Sequence, residues 1–294
     1  MIEYQKRNIR RGAKMEFRKT KEGICCDAAG INLPLTLDCG QAFRWRAHGE
    51  GFRAAVGDKL ITVAESGGEL LFSADCEPEA LAAAVTTYFD LDRDYAEIER
   101  VISSDSYVAE AMKTCRGLRI LKQEPFEALI SFIISQNNNV PRIKNIVETL
   151  CGCFGEPLAD GVSSFPSAER LASLSEEDLA PLRCGYRARY IIEAARKVAS
   201  GELDLEAAAS AEEEACMLAL KGVTGVGDKV AACVMLYGLG RLDSFPMDVW
   251  MKRVVRVLYE GADVRGLFGG YAGVAQQYLF VLARQEKYLD KFGK

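Results

Sequence analysis

Two periodicities divide the chain. From residue 31 to about 73, short apolar runs at 52–56, 60–64 and 69–72 are separated by Gly57-Asp58 and by Ser66-Gly67-Gly68. Short runs with glycine punctuation predict antiparallel strands joined by tight turns. From Glu77 onward the apolar spacing lengthens to three and four. Phe126, Leu129, Ile130, Ile133 and Ile134 share one face of a helix over 126–135. The same spacing predicts helices over 142–150, 168–174, 176–182, 189–200, 212–220, 229–237, 249–259 and 273–285. The fold class is therefore α+β, an N-terminal twisted antiparallel β-sheet packed on a mostly α-helical body. The expected divisions are a basic flexible arm over 1–22, a sheet domain with helices over 23–120, and a helical body over 121–294. That body contains two helices joined by a hairpin at 212–237.

Composition narrows the class without naming it. The chain has 294 residues, 49% hydrophobic and 27% charged, enough for two or three packed units. Its longest apolar stretch, 128–134, is broken by Ser131 and is too short to cross a bilayer. No apolar segment of a secretory signal stands near the start. Recognisable pattern begins after Met15, itself a candidate start. The ten cysteines include no C-x2-C pair, and the single His48 cannot complete a Cys/His zinc site. A four-cysteine iron–sulfur loop near the C-terminus is excluded, because the last cysteine is Cys233. Reduced thiols in a cytoplasm are the expectation, with a bacterial cytosol or nucleoid as the compartment. The net charge of −5 argues mildly against nucleic acid. The charge is uneven, however. Residues 183–200 carry Arg183, Arg187, Arg189, Arg196 and Lys197 against Glu193 alone, a candidate binding face.

The densest chemistry lies in Gly222-Val223-Thr224-Gly225-Val226-Gly227-Asp228-Lys229. One helix ends before it and another begins within it. The glycines let the backbone come close to a ligand, and the N–H groups opening the second helix suit a phosphate oxygen. Taken alone, the motif is equally well an ordinary corner between helices. Lys229 stands in a first helical turn, where the dipole disfavours an ammonium; the neutral amine is the form that a nucleophile needs. Nineteen residues on, Ser244-Phe245-Pro246-Met247-Asp248 leads into another helix. Asp248 is a natural N-cap, and a cap also fixes a carboxylate in place.

These residues resemble the hairpin and distal aspartate of the helix-hairpin-helix DNA glycosylases. More closely, the chain from about residue 31 is similar to the 8-oxoguanine DNA glycosylase/AP lyase family. The resemblance is carried by Cys39-Gly40-Gln41-Ala42-Phe43-Arg44-Trp45, Ser135-Gln136-Asn137-Asn138-Asn139, Gly185-Tyr186-Arg187-Ala188-Arg189-Tyr190 and the Lys229 and Asp248 motifs. Two positions depart from it: Thr224 stands where the family has proline, and Trp250 where animal enzymes have histidine. The resemblance implies base flipping from duplex DNA, with Lys229 forming a Schiff base at C1′ and Asp248 stabilising positive charge on the sugar. It implies Asn137 as the plug of the emptied stack, and Arg142, Tyr186 and Arg187 as the opposite-base and wedge residues. The Gly40 carbonyl would read the lesion's N7–H. Cys233 and Phe280 would sandwich the base and Gln276 would read its edge. Gly225, Val226, Gly227 and Trp250 would meet phosphates.

No cofactor or metal is expected for chemistry, although hairpin carbonyls can hold a monovalent or divalent cation. The expected partner is double-stranded DNA containing 8-oxoguanine, preferably opposite cytosine, bound by a monomer with no membrane. Two rivals stay open: a glycosylase for another damaged base, and a non-catalytic helix-hairpin-helix DNA-binding module. Gln276 and Phe280 beside Gly40 discriminate against the first, and Lys229 with Asp248 against the second.

Overall fold

The computed structural model describes residues 15–28, 30–285 and 288–292. Its strands are β1 (Arg18–Lys19), β2 (Ile24–Asp27), β3 (Arg46–His48), β4 (Gly51–Val56), β5 (Lys59–Ser66) and β6 (Glu69–Ser73), with helix α1 (Leu33–Asp38) between β2 and β3. They form one sheet in the order β1-β2-β6-β5-β4-β3, antiparallel throughout. The two expected turns sit where the glycines placed them, between Val56 and Lys59 and between Ser66 and Glu69. Alternation then works as it should. Ile61 and Val63 of β5 and Leu70 and Phe72 of β6 face one way, into a small core with Trp45, Phe89 and helix α2 (Pro78–Tyr88).

Two features of this half differ from the sequence reading. The stretch read as strand from residue 31 contains α1. Asn32 caps it, accepting from Leu35 N at 3.0 Å, and Pro34 occupies its first turn. Those are helix-start signals inside an otherwise strand-like run. The sheet also begins early, since Arg18 and Lys19 pair with Cys25 and Ile24. The segment expected to be an arm thus ends in an edge strand; its residues 1–14 lie outside the described residues.

The body follows as α3 (Tyr95–Ile102), α4 (Ser106–Cys115), α5 (Pro125–Ile134), α6 (Val140–Phe154), α7 (Ala168–Ala172), α8 (Arg187–Ala199), α9 (Leu205–Ser210), α10 (Glu213–Lys221), α11 (Asp228–Tyr237), α12 (Val249–Leu258) and α13 (Ala272–Arg284). Helix α5 is buried all round from Phe126 to Ile134, as befits a helix at the centre of a core. Helices α8 and α11 pack across it, and α13 lies against α4 and α12. The helix expected over 176–182 is instead turns ending in a 3-10 segment, Ala180–Leu182. Pro181 cannot donate within it, and Arg183 closes it in a left-handed conformation at φ +49°. Among the described residues, no helix is long and apolar enough to cross a membrane.

Candidate active site and DNA-binding face

The hairpin between α10 and α11 is closed by Val226 N donating to Val223 O at 3.0 Å. Gly225 holds φ +83°, and a side chain there would collide with the Tyr190 ring of α8. Beside it, the Thr224 hydroxyl donates to the Glu193 carboxylate of the same helix. The hairpin is therefore seated on α8 by a ring and one polar contact. Lys221 and Asp228 form an ion pair across its mouth. Of the three amides expected to meet phosphate, that of Val226 is already used inside the turn. Among the described residues, the N–H groups of Gly225 and Gly227 donate to no backbone carbonyl, and Gly227 is exposed.

Gly227 is the N-cap of α11, which puts Lys229 in the first turn. Its Nζ donates to Ser135 Oγ at 3.1 Å and lies 5.3 Å from the centre of the Phe132 ring. Ser135 Oγ donates in turn to Phe132 O at 2.7 Å, so its lone pair is turned to the lysine. Cys233, one turn along α11, is 3% exposed. Burial pushes its thiol up to about 11, opposed by the charge and hydrogen bond of Lys229 and aided by Asp248. Asp248 caps α12, its Oδ1 accepting from Met251 N at 2.8 Å. The cap role and a charge role coexist, since Oδ2 has no hydrogen-bond donor among the described residues. Val249 and Trp250, next in the chain, are 77% and 37% exposed, which leaves that helix end open to a large partner.

Gly40 follows α1 at φ +93°. Among the described residues, the space a side chain would fill there is bordered by Val140 Cγ2 at 3.5 Å and the Arg284 guanidinium at 3.8 Å alone. Arg284 also lies over the Phe280 ring at 5.3 Å, so Gly40 and Phe280 share one neighbour. Gln276, one turn before Phe280 on α13, is 3% exposed, and its Oε1 is buried with no donor among the described residues.

The third group of residues gathers where α5 turns into α6. Asn137 is exposed at φ +48°, and its Nδ2 donates to the Tyr186 hydroxyl at 3.3 Å. Tyr186 is 51% exposed. Arg142 is exposed, with one bond from Nη2 to Arg183 O at 3.3 Å. Arg187 is different. It is 6% exposed, and its guanidinium donates to the carbonyls of Gln136 and Cys184 and stacks 4.6 Å from the Tyr186 ring. It braces the Asn137 turn from behind.

The family model described as "8-oxoguanine DNA glycosylase, N-terminal domain" matches residues 24–129, and "HhH-GPD superfamily base excision DNA repair protein" matches residues 130–263. The N-glycosylase/DNA lyase OGG1 of Arabidopsis thaliana is 30% identical over 296 residues, 90% of this chain and 81% of that protein. The chain belongs to the N-glycosylase/DNA lyase family. It is a DNA glycosylase with lyase activity that works in base excision repair. A solved structure of MBOgg1 with a low-affinity DNA ligand superposes on 96% of this glycosylase and all of that chain, with TM-score 0.87 and 36% identity. The Clostridium acetobutylicum 8-oxoguanine glycosylase/lyase, solved with double-stranded DNA containing cytosine opposite 8-oxoG, covers 94% of this chain and 99% of its own. Its TM-score is 0.85 at 32% identity.

Sequence reasoning overrated the basic stretch of this glycosylase. Besides buried Arg187, Arg196 donates to the carbonyls of Ala172 and Leu174, and Lys197 pairs with Glu202. Arg183 and Arg189 remain exposed. Reasoning also missed Phe132 and Ser135, the groups that hold Lys229. They lie three apart at the end of α5, a spacing that puts them on one face, but nothing in sequence says which helix that face meets. A cavity of about 370 Å³ between Arg44, Arg46, Arg53 and Glu148 contains none of the site residues. It lies between the sheet and α6. Among the described residues, no group of three or more His, Cys, Asp or Glu could hold a metal ion.

Proposed function

We propose that this glycosylase excises 8-oxoguanine from duplex DNA, preferably opposite cytosine, with Lys229 as nucleophile and Asp248 as its electrostatic partner. The observation that carries the reading is the placement of Lys229 Nζ. It is held by Ser135 Oγ and the Phe132 ring in the first turn of the helix that carries Cys233. A base stacked in a duplex hides C1′, so the nucleotide must be flipped out. Asn137 fills the space left behind and Tyr186 wedges the stack. The flipped base lies between Cys233 and Phe280, and Gln276 Oε1 gains the donor it lacks in the free protein. Oxidised guanine carries a proton on N7, where guanine carries a lone pair. The Gly40 carbonyl therefore attracts the lesion and repels the parent base.

The C1′–N9 bond breaks with positive charge growing on the sugar, which the Asp248 carboxylate stabilises. Lys229 Nζ gives up a proton, which the leaving base takes up, and the freed lone pair forms the bond to C1′. Ring opening gives a Schiff base, whose iminium draws electrons from the C2′–H bond. Loss of that proton expels the 3′ phosphate and breaks the strand.

Gly225, Gly227 and Trp250 hold backbone phosphates on the hairpin side, with the Val226 side chain anchoring the turn beneath them. A monovalent or divalent cation on the hairpin carbonyls would strengthen that grip without entering the chemistry, which the lysine and aspartate supply. The reading is of a monomer, since one chain carries every group named, acting where thiols stay reduced, as in a bacterial cytosol.

Exposed Arg142 faces the orphaned cytosine, whose O2 and N3 both accept, and Arg187 joins it by releasing the Gln136 and Cys184 carbonyls that hold its guanidinium in the free protein. Adenine offers N1 beside an amino donor and leaves one guanidinium badly paired. A mispaired contact of that kind costs about 1–3 kcal/mol, so the preference for cytosine should be roughly tenfold or more. Single-turnover excision on four duplexes differing only in the opposite base tests the assignment. Equal rates on all four would remove Arg142 and Arg187 from it.

A further inference from the structure

The turn that carries Gly40 is gripped from both sides by buried amides with no part in the chemistry above. On one side stands Gln277, 2% exposed. Its Nε2 donates to Cys39 Sγ at 3.1 Å, and its Oε1 accepts from the Tyr237 hydroxyl at 2.5 Å. Cys39 Sγ also accepts from Gln41 Nε2 at 3.5 Å and donates to Thr36 O at 3.6 Å. On the other side, Gln41 is wholly buried. Its Nε2 donates to the carbonyls of Thr36 and Arg119, both at 2.8 Å, and its Oε1 accepts from Leu121 N at 2.9 Å. The Gln41 carbonyl accepts from Gln123 Nε2 at 2.7 Å, and Gln123 N donates to Tyr237 O at 2.7 Å.

Both paths meet at Tyr237. Its hydroxyl leads through Gln277 to Cys39, and its carbonyl leads through Gln123 to Gln41. Tyr237 belongs to the catalytic helix: Lys229, Cys233 and Tyr237 are spaced by four along α11. Its ring stacks on Phe132 at 5.3 Å and 19°, the same ring that lies under Lys229 Nζ. The brace therefore ties the residues before and after Gly40 to the helix that carries the nucleophile. Gly40 itself is packed loosely, so its peptide takes its direction from these neighbours.

We propose that Gln277, held by Tyr237, is a positioning residue for lesion discrimination, fixing the Gly40 carbonyl so that it cannot turn away from a guanine N7. This rests on the reading of the Gly40 carbonyl given above. A movable carbonyl treats the two bases unequally. The N7–H of 8-oxoguanine draws it into line, whereas the N7 lone pair of guanine pushes it aside and escapes the repulsion. A rigid carbonyl imposes that repulsion in full, as specificity against a competitor requires. Loosening the brace should thus strengthen guanine binding and leave lesion binding nearly unchanged.

The test is binding of the full-length protein to duplexes with cytosine opposite 2′-fluoro-8-oxoguanosine or 2′-fluoroguanosine, whose fluorine opposes charge at C1′ and prevents excision. Gln277→Met keeps the side-chain length and removes both polar atoms. It should lower the ratio of the two affinities by roughly tenfold, the worth of one hydrogen bond, mostly through tighter guanine binding. Tyr237→Phe, which deletes one hydroxyl and keeps the stacked ring, should move the ratio the same way by less, and adding it to Gln277→Met should change little further. Because it alters one atom, it keeps the question answerable if Gln277→Met does not fold. An unchanged ratio with intact binding would overturn the proposal. So would a parallel fall of both affinities, the mark of a merely structural role. A wild-type protein with no preference between the two duplexes would instead overturn the Gly40 reading itself.

Discussion

Around Gly40, the side chains of Gln41, Gln123 and Gln277 are buried and bonded to backbone or to one another. Around Asn137, the side chains that face outward are exposed, and Asn137 and Tyr186 share one hydrogen bond of 3.3 Å. The first region is assembled before DNA arrives. A carbonyl that discriminates by repulsion must be rigid, and a buried network in low dielectric provides rigidity because any broken member is left unpaired. On the proposed reading, the second region enters a base stack and conforms to it. Asparagine tolerates the left-handed turn it occupies, and buried Arg187 keeps that turn in place from below. On the proposed roles, preorganisation is concentrated where the lesion is read, and adaptability where the duplex is held open.

The contrast can be broken most sharply at Asp248. Asp248→Asn retains a capping oxygen for Met251 N and removes the charge. Excision should fall by about 10²–10³, by analogy with loss of one preorganised electrostatic group, while lesion-duplex affinity holds. Single-turnover kinetics beside equilibrium binding separate the two, and a joint fall would make Asp248 structural only. Arg142 belongs to the adaptable side. Arg142→Ala should narrow the preference for cytosine by about tenfold and leave excision opposite cytosine largely intact. Because Arg187 spends its donors on the Gln136 and Cys184 carbonyls in the free protein, Arg187→Ala should instead lower stability as well as opposite-base preference, measurable by urea denaturation.

Much of this was legible in the chain, and what was missed shares a physical reason. The β4–β5 and β5–β6 hairpins and the buried helix α5 follow from period and glycine placement. Helix α1 was hidden because six residues are too few to show a helical period, although Asn32 and Pro34 marked its start. Lys229 and Asp248 stood out as candidates because each lies in a local motif. Ser135, Gln277 and Tyr237 could not, since their partners come from distant segments and no local pattern encodes such a meeting. The basic stretch misled for the same reason: a guanidinium that binds a carbonyl elsewhere in the fold looks in sequence like one that faces DNA.

A pH-linked effect concerns the buried base of the rigid half. Glu127 on α5 has Arg44, Glu124 and Glu148 as charged neighbours, and burial raises its carboxyl from 4.5 to about 7, with Arg44 opposing the rise. A carboxyl raised in the folded state contributes its stability below the unfolded value and loses it as pH climbs through the folded one. Glu127→Gln should therefore gain on the wild type between pH 4 and pH 8, by on the order of 2 kcal/mol. Urea denaturation at both values measures it, and an equal difference at the two would contradict the assignment. The smallest effect is expected at the hairpin. Glu193→Gln weakens the contact with the Thr224 hydroxyl at an accessible site worth under about 1 kcal/mol, so DNA affinity should change by less than about fivefold.

The central claim, that Lys229 is the amine that attacks the sugar, is tested most directly by borohydride reduction during reaction with an 8-oxoguanine:cytosine duplex. The account predicts a covalent protein–DNA adduct with the wild type, mapped to Lys229, and none with Lys229→Gln although that variant still binds the duplex. An adduct of undiminished yield with Lys229→Gln would contradict it and assign the chemistry to another amine.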